Sequence, residues 1–288
     1  MIGARQAALS TLPIPLYEGI VLQALREDLG DAGDITSDAV VDADARMRGA
    51  LVARAPGILV GVDLAVCAFR TVDPETEFQD VVADGTMLDA NTRIAVFEGS
   101  ARHMLAAERT ALNFLCHLSG VATLTAAYVR AVAGYAAAIV DTRKTLPGLR
   151  ALQKYAVRAG GGRNHRFGLY DAVLIKDNHI AVAGGVERAI VAAKGRAGHL
   201  VKIEIEVDSL AQLDEALQAG ADAVLLDNLT PEELRTAVRM NAGRALLEAS
   251  GSVSLEDVRE IAATGVDVIS IGRLTHSAAA LDIGLDAM

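Results

Sequence analysis

The second part of this 288-residue chain reads as a (β/α) barrel, α/β in class. Three observations say so. Short apolar runs alternate with amphipathic runs every ~20–30 residues from position 136 onward, as in parallel βα units. The amphipathic runs carry their own helix start and stop signals. The units are also too many and too short for a dinucleotide-binding fold, whose glycine fingerprint is missing.

Taken in order, residues 16–29 have helical spacing, with Ile20, Leu22, Leu25 and Leu29 as an apolar stripe and Gly30 as the stop. Asp28, Asp31 and Asp34 lack the spacing and terminal Glu of a calcium loop, so a turn with local Asx hydrogen bonds is expected. Residues 46–99 read as β-rich with one helix: strands at 47–61 and 92–100 split by Gly and Pro, and a helix at 63–72. The run 103–118 is a strong helix, with Leu105, Leu112, Leu115 and Leu118 among its apolar positions. Glu108 and Arg109 inside it read, by themselves, as ordinary ion-pairing residues. After Gly120 a second helix is expected over 122–134.

Strands then follow at 136–145, 171–177, 201–208, 221–228, 244–250 and 266–272, with helices at 185–194, 209–220, 230–240 and 254–265. Ser209 with Gln212 and Thr230 with Glu233 spell capping boxes, Pro231 takes the first helical position, and Gly220 and Gly265 end their helices. Between the first two strands, 147–159 is helical, with Arg150, Lys154 and Arg158 on a basic face and Leu149, Leu152 and Ala156 turned inward.

Composition narrows the class. Hydrophobic residues make up 52% but aromatics only 3%, which suits closely packed helix and sheet layers and argues against disorder. The net charge of −10 and the lack of a basic-aromatic platform argue against nucleic-acid binding. Cys67 and Cys116 are too few for a disulfide framework or thiolate metal site and read as thiols of a reducing cytoplasm. Pro13 and Pro15 break any signal-peptide layout, and no apolar run is expected to reach the ~20 residues that span a bilayer. No membrane partner is expected.

Charge is unevenly placed. Eleven Lys/Arg stand against three Asp/Glu between Arg102 and Lys176, in a chain whose totals are 27 and 37. A local cation excess in an acidic protein points to a site for a small polyanion. Catalytic groups of such barrels come from the strand carboxyl ends. Those ends carry Arg143-Lys144, Lys176, Glu206, Asp227, Ser250-Gly251 and Gly272, so cations come first, then carboxylates, then small residues. Arg143, His165, Arg166 and Lys176 are candidates for binding carboxylates. Glu206 and Asp227 suit magnesium, which takes a couple of carboxylates plus water and phosphate oxygens. Ser250, Gly251 and Ser252, before a helix expected from Ser254, and the backbone after Gly272 would cradle a phosphate. His165, set among arginines, is expected to hydrogen-bond substrate or orient a neighbour. His179 reads as structural, and neither it nor His276 has metal-ligand spacing.

These motifs resemble one family. DTRKT (141–145), GGGRNHRFGL (160–169), LIKDNH (174–179), EIEVD (204–208), LLDN (225–228), EASG (248–251) and THSAAALDI (275–283) are similar to quinolinate phosphoribosyltransferase, as are DLGDAGDITSDA (28–39) and AERTALNFL (107–115). The resemblance covers nearly the whole chain. It implies an N-terminal α/β sandwich domain over 1–118, joined by the tail from about 274 to 288, and an open (β/α) TIM-like barrel over 119–273. It implies a cytoplasmic enzyme of NAD biosynthesis that joins quinolinate and phosphoribosyl pyrophosphate with magnesium and no organic cofactor, releasing pyrophosphate and carbon dioxide. It assigns the catalytic set Lys144, Lys176, Glu206 and Asp227. Arg109, Arg143, His165, Arg166 and Lys176 would hold quinolinate, with Arg109 supplied by the neighbouring subunit of a homodimer. Lys144, Ser250, Gly251, Ser252, Gly272 and His276 would hold the phosphoribosyl donor. Arg273, Ser252 and the absence of Pro in THSAAALDI depart from the family pattern. Two other readings stand beside this one: a Schiff-base lyase using Lys176, and a molybdenum-transport-associated paralogue.

Overall fold

The computed structural model describes Leu9 and residues 11–288. These divide into two compact units: residues up to Ala126 with Leu146–Gly161 and Ser277–Met288, and Ala127–Thr145 with Gly162–His276.

The first unit opens with a 3₁₀ turn at Ile14–Leu16, α1 (Glu18–Leu29) and α2 (Ile35–Val40). The inward positions of α1 are Val21 and Leu25; Leu22, expected in the stripe, faces out. The acidic turn is the start of α2: Asp34 accepts from the Thr36 and Ser37 amides at 3.1 and 3.0 Å, the local Asx bonding anticipated there. Next come β1 (Arg46–Ala53), β2 (Gly57–Ile58), α3 (Val62–Val72), β3 (Glu77–Gln79), β4 (Met87–Leu88) and β5 (Arg93–Ser100). Phe69 of α3 stacks on Phe97 of β5 and Phe78 of β3, with ring centroids 4.7–5.9 Å apart, so a helix layer covers the sheet. Burying each such ring contributes about 2–3 kcal/mol.

α4 (Ala101–Ala131) is one helix where two were expected, so the boundary anticipated after Leu118 falls within it. Gly120 does not break it. A Cβ there would sit 2.0 Å from the Ala279 carbonyl oxygen, so glycine lets the C-terminal tail lie against the helix. By length and composition α4 could cross a membrane, contrary to the expectation of no such run. Its polar groups serve a protein core instead: Ser119 Oγ accepts from Val60 N at 2.9 Å and Thr123 Oγ1 from Ile58 N at 2.9 Å.

After α4 follow β6 (Ala138–Val140), α5 (Arg150–Ala159), β7 (Val173–Ile175), α6 (Asp177–Ala183), α7 (Val186–Lys194), β8 (Ile203–Val207) and α8 (Leu210–Gln218). The chain ends with β9 (Ala223–Asp227), α9 (Pro231–Asn241), β10 (Leu246–Ser250), α10 (Val258–Ala262), β11 (Val268–Ser270), α11 (Arg273–His276) and β12 (Ile283–Ala287). α5 belongs to the first unit, and its basic stripe is split: Lys154 is fully buried, Arg150 half-buried and Arg158 exposed. β12 pairs antiparallel with β1, giving the first unit a four-stranded sheet in the order β12-β1-β5-β3.

The second unit holds six parallel strands in the order β6-β11-β10-β9-β8-β7. β6 and β7 are consecutive in the chain yet form the two edges, so the barrel is open between them. The Thr230–Glu233 box forms in full, with Glu233 reaching back to the Thr230 amide at 2.8 Å. At α8 only Ser209 caps; Gln212 bonds Asp208 N instead.

Candidate active site

The strand carboxyl ends of the second unit enclose a cavity of about 580 Å³. It brings together Arg143, Lys144, His165, Arg166, Lys176, Glu206, Asp227, Ser250, Gly251 and Ser252, ten of the residues singled out from sequence.

One wall is cationic and built on a buried anchor. Asp141, just past β6, is fully buried and accepts from the His165 amide at 3.0 Å and from Asn164 Nδ2 at 2.5 Å. These bonds tie the loop carrying His165 and Arg166 to the strand carrying Arg143. Asp171 then closes the loop by accepting from the Phe167 and Gly168 amides at 2.7 and 3.0 Å. Arg166 donates to Ala172 O at 3.0 Å, while the buried Nε atoms of Arg143 and Arg166 have no hydrogen-bond partner among the described residues. Burial first, and Arg143 second, pull the Arg166 guanidinium below its usual range. Two guanidiniums with unspent donors in one cavity have the chemistry to take up carboxylates.

Lys176 follows β7. Its amide donates to His179 Nδ1 at 2.9 Å, which gives His179 the structural role expected of it, and its Nζ donates to Glu206 Oε2 at 2.5 Å. Asp227 closes β9 and accepts from Asn228 Nδ2 at 2.8 Å. Gly251 has φ +137°, and a Cβ there would lie 2.5 Å from Asn228 Oδ1, so glycine is required for this approach. Leu174 and Leu225 supply an apolar patch within the same cavity.

A smaller hollow of about 310 Å³ adjoins it, sharing Lys144, Gly251 and Ser252 and adding Gly272, Arg273 and His276. Thr275 Oγ1 donates to Lys144 O at 2.8 Å and fixes its rim. The helix expected from Ser254 starts only at Val258 and is five residues long. Ser254 Oγ accepts from the Asp257 amide at 3.1 Å and closes a turn first, so the rim is loop backbone and not a helix end. Arg109 is exposed on α4 in the first unit and does not line either hollow.

His165 lines the same cavity as Arg143 and Arg166. Nδ1 accepts from the Arg166 amide at 2.8 Å, so the neutral ring carries its proton on Nε2, which lies 2.9 Å from Glu204 and 3.6 Å from Glu248. Its ring nitrogens thus meet the Arg166 backbone and the Glu204 and Glu248 carboxylates. Glu204, Glu248 and Ser270 were not singled out, though strand alternation points to them. Glu204 shares a face with Glu206 and Glu248 with Ser250, one layer deeper, and Ser270 stands two residues before Gly272. Glu248 is buried, and its carboxyl is raised to about 7 by burial first and by Glu204 next.

Comparison with known proteins agrees with the motifs. Residues 34–119 match the quinolinate phosphoribosyl transferase N-terminal domain and residues 121–286 its C-terminal domain. The chain is 48% identical over 271 residues to a Mycobacterium leprae nicotinate-nucleotide pyrophosphorylase [carboxylating], covering 92% of this chain and 95% of that protein. It is 43% identical to a probable nicotinate-nucleotide pyrophosphorylase [carboxylating] of Bacillus subtilis, covering 90% and 89%. The solved structure of the nicotinate-nucleotide pyrophosphorylase from Francisella tularensis superposes with a TM-score of 0.92 at 39% identity, covering 97% of this chain and 99% of that one. The chain belongs to the quinolinate phosphoribosyltransferase family.

Proposed function

We propose that this chain transfers the phosphoribosyl group of phosphoribosyl pyrophosphate to the ring nitrogen of quinolinate and then releases carbon dioxide, giving nicotinate mononucleotide for NAD biosynthesis. One observation carries the reading: a single cavity joins the carboxylate receptor of Arg143, Arg166 and Lys176 to Glu206 and Asp227 and opens onto a glycine-lined hollow.

The ring of quinolinate lies against Leu174 and Leu225, with its carboxylates on Arg143, Arg166 and Lys176. Holding the weakly nucleophilic ring nitrogen in line with the sugar carbon is the main contribution to transfer. Lys144 stands where both hollows meet and stabilises charge growing on the leaving pyrophosphate. Ser250, Gly251, Ser252, Gly272 and His276 hold the phosphate of the donor. Glu206 and Asp227 fit magnesium: both are oxygen donors at adjacent strand ends, and both also line a neighbouring hollow with Asp177 and Asp208. When bound there, the ion supplies charge neutralisation of the pyrophosphate. After transfer the ring nitrogen is cationic and stabilises the electron pair that departing carbon dioxide leaves on the adjacent ring carbon, so the substrate supplies its own stabilising charge and no organic cofactor is needed.

Arg109 is exposed and outside the cavity lining, which supports its delivery to a second copy's site in a homodimer. Unpaired Cys67 and Cys116 accord with a cytoplasmic setting. The Schiff-base alternative loses support because Lys176 is committed to an ion pair with Glu206, whereas that chemistry needs a free amine. The test is incubation with quinolinate, phosphoribosyl pyrophosphate and magnesium. Nicotinate mononucleotide and carbon dioxide should form in equal amounts; a chain that forms neither does not carry this activity.

A further inference from the structure

Removing carbon dioxide from a ring carbon leaves an electron pair that must take up a proton, and nothing assigned above supplies one. The floor of the cavity does. Glu248 and Ser270 line it from β10 and β11, 3% and 2% exposed. Among the described residues Glu248 Oε1 and Ser270 Oγ are buried with no hydrogen-bond partner beyond each other, Ser270 being the hydroxyl set against the Glu248 carboxyl. Facing Glu248 are Glu204 from β8, Asp141 from beyond β6 and His165, whose Nε2 lies 3.6 Å from Glu248 Oε2 and 2.9 Å from Glu204. One imidazole cannot neutralise both carboxylates, and among the described residues no Lys or Arg ion-pairs with Glu248. Two acids so close cannot both be charged in a buried site, so one keeps its proton.

We propose that Glu248 is the proton donor that completes decarboxylation. The bond from the ring carbon to the departing carboxylate breaks, carbon dioxide leaves, and its bonding pair stays on the carbon. That pair takes the proton from the Glu248 carboxyl, forming the C–H bond and leaving a Glu248 carboxylate, which water reprotonates after product release. The raised carboxyl of Glu248 agrees with this, since it holds a proton near neutrality. A substrate dianion entering beside it strengthens that hold.

The inference rests on the phosphoribosyl-transfer reading, and its test separates the two. Glu248→Gln keeps the side-chain shape and has no acidic proton to give; Glu248→Asp keeps the acid on a shorter arm. In a single turnover with magnesium, phosphoribosyl pyrophosphate and carboxyl-labelled quinolinate, pyrophosphate and carbon dioxide are followed separately. Glu248→Gln should release pyrophosphate within about threefold of the wild-type rate and carbon dioxide at least ~100-fold more slowly, with Glu248→Asp between. Carbon dioxide release within threefold of wild type in Glu248→Gln overturns the proposal, as does equal loss of both products in the two variants. If Glu248→Gln does not fold, the wild-type chain decides: carbon dioxide release should fall steadily above about pH 7, whereas a flat rate to about pH 9 overturns the assignment. A wild-type chain that releases neither product removes the transfer reading itself, and Glu248 with it.

Discussion

Lys176 Nζ stands 2.5 Å from Glu206 Oε2, across the ends of the adjacent parallel strands β7 and β8. A group read as a carboxylate receptor and a group read as a metal ligand thus neutralise each other before either ligand arrives. Lys176→Ala leaves Glu206 without its cation and removes one contact to quinolinate, so kcat/KM should fall by about 10²–10³. The stability cost should stay below about 1 kcal/mol, because the ammonium is half exposed. Lys176→Arg should recover little, since a planar fork does not replace a point charge. Steady-state kinetics beside thermal unfolding checks this, and wild-type turnover in Lys176→Ala would remove the residue from the mechanism.

Arg143 and Arg166 line one cavity with unspent Nε donors, and the Arg143 charge, after burial, disfavours the Arg166 cation. Arg166→Ala should therefore weaken quinolinate binding by about 2–3 kcal/mol, a factor near 30–150, and leave the melting temperature unchanged or raised. Quinolinate should in turn stabilise the wild-type chain by mass action and the variant far less. Calorimetry and ligand-dependent melting curves measure both. A variant that binds normally, or melts much lower, contradicts the idea that these arginines are held apart for a ligand.

Magnesium should be needed for donor binding more than for quinolinate binding. Glu206→Gln and Asp227→Asn are each expected to raise the magnesium concentration for half-maximal activity about 10–100-fold. Titration of phosphoribosyl pyrophosphate with and without chelator is the measurement. Donor affinity indifferent to chelator would exclude these carboxylates as the metal site.

The barrel and the upper layer of its cavity were legible because both are written in short-range pattern. Alternating units gave the strands, and strand ends gave Lys176, Glu206, Asp227 and Ser250. What lay one layer down was not singled out, although Glu204 and Glu248 stand two residues before Glu206 and Ser250 in the same strands. Their burial depends on the sheet curling, which no local window records. The burial of Lys154 was hidden for the same reason: its four-residue spacing with Arg150 and Arg158 marks a basic face, and only tertiary packing buries it. α6 was missed because its seven residues begin inside the strand motif LIKDNH, whose Asp177, Asn178 and His179 are its first turn.

Glu248 also makes a prediction about stability. Its folded-state carboxyl is raised to about 7 from an ordinary value of 4.5, so the folded protein holds this proton more tightly than the unfolded chain does. The contribution is complete below about pH 4.5 and is lost as pH climbs through about 7, in total on the order of 3 kcal/mol. Glu248→Gln does not titrate there, so relative to wild type it should gain stability between about pH 5 and pH 8. Urea unfolding at the two pH values reads the difference; an equal gap at both would mean that Glu248 is ionised throughout.

Gly120 sets two effects against each other. In a helix interior, Gly→Ala ordinarily stabilises by about 1 kcal/mol. Here the added Cβ would lie 2.0 Å from the Ala279 carbonyl oxygen, and backbone on both sides has to move. Overpacking of that kind costs about 3 kcal/mol, so the clash outweighs the propensity gain. Gly120→Ala should lower the melting temperature by roughly 4–8 °C. Gly19→Ala in α1 is the control, because a Cβ there meets nothing within 4 Å and the same propensity gain should raise stability by about 0.5–1 kcal/mol. If both variants were stabilised, Gly120 would be an ordinary helical position, and the close seat of the C-terminal tail on α4 would not be what glycine is there to permit.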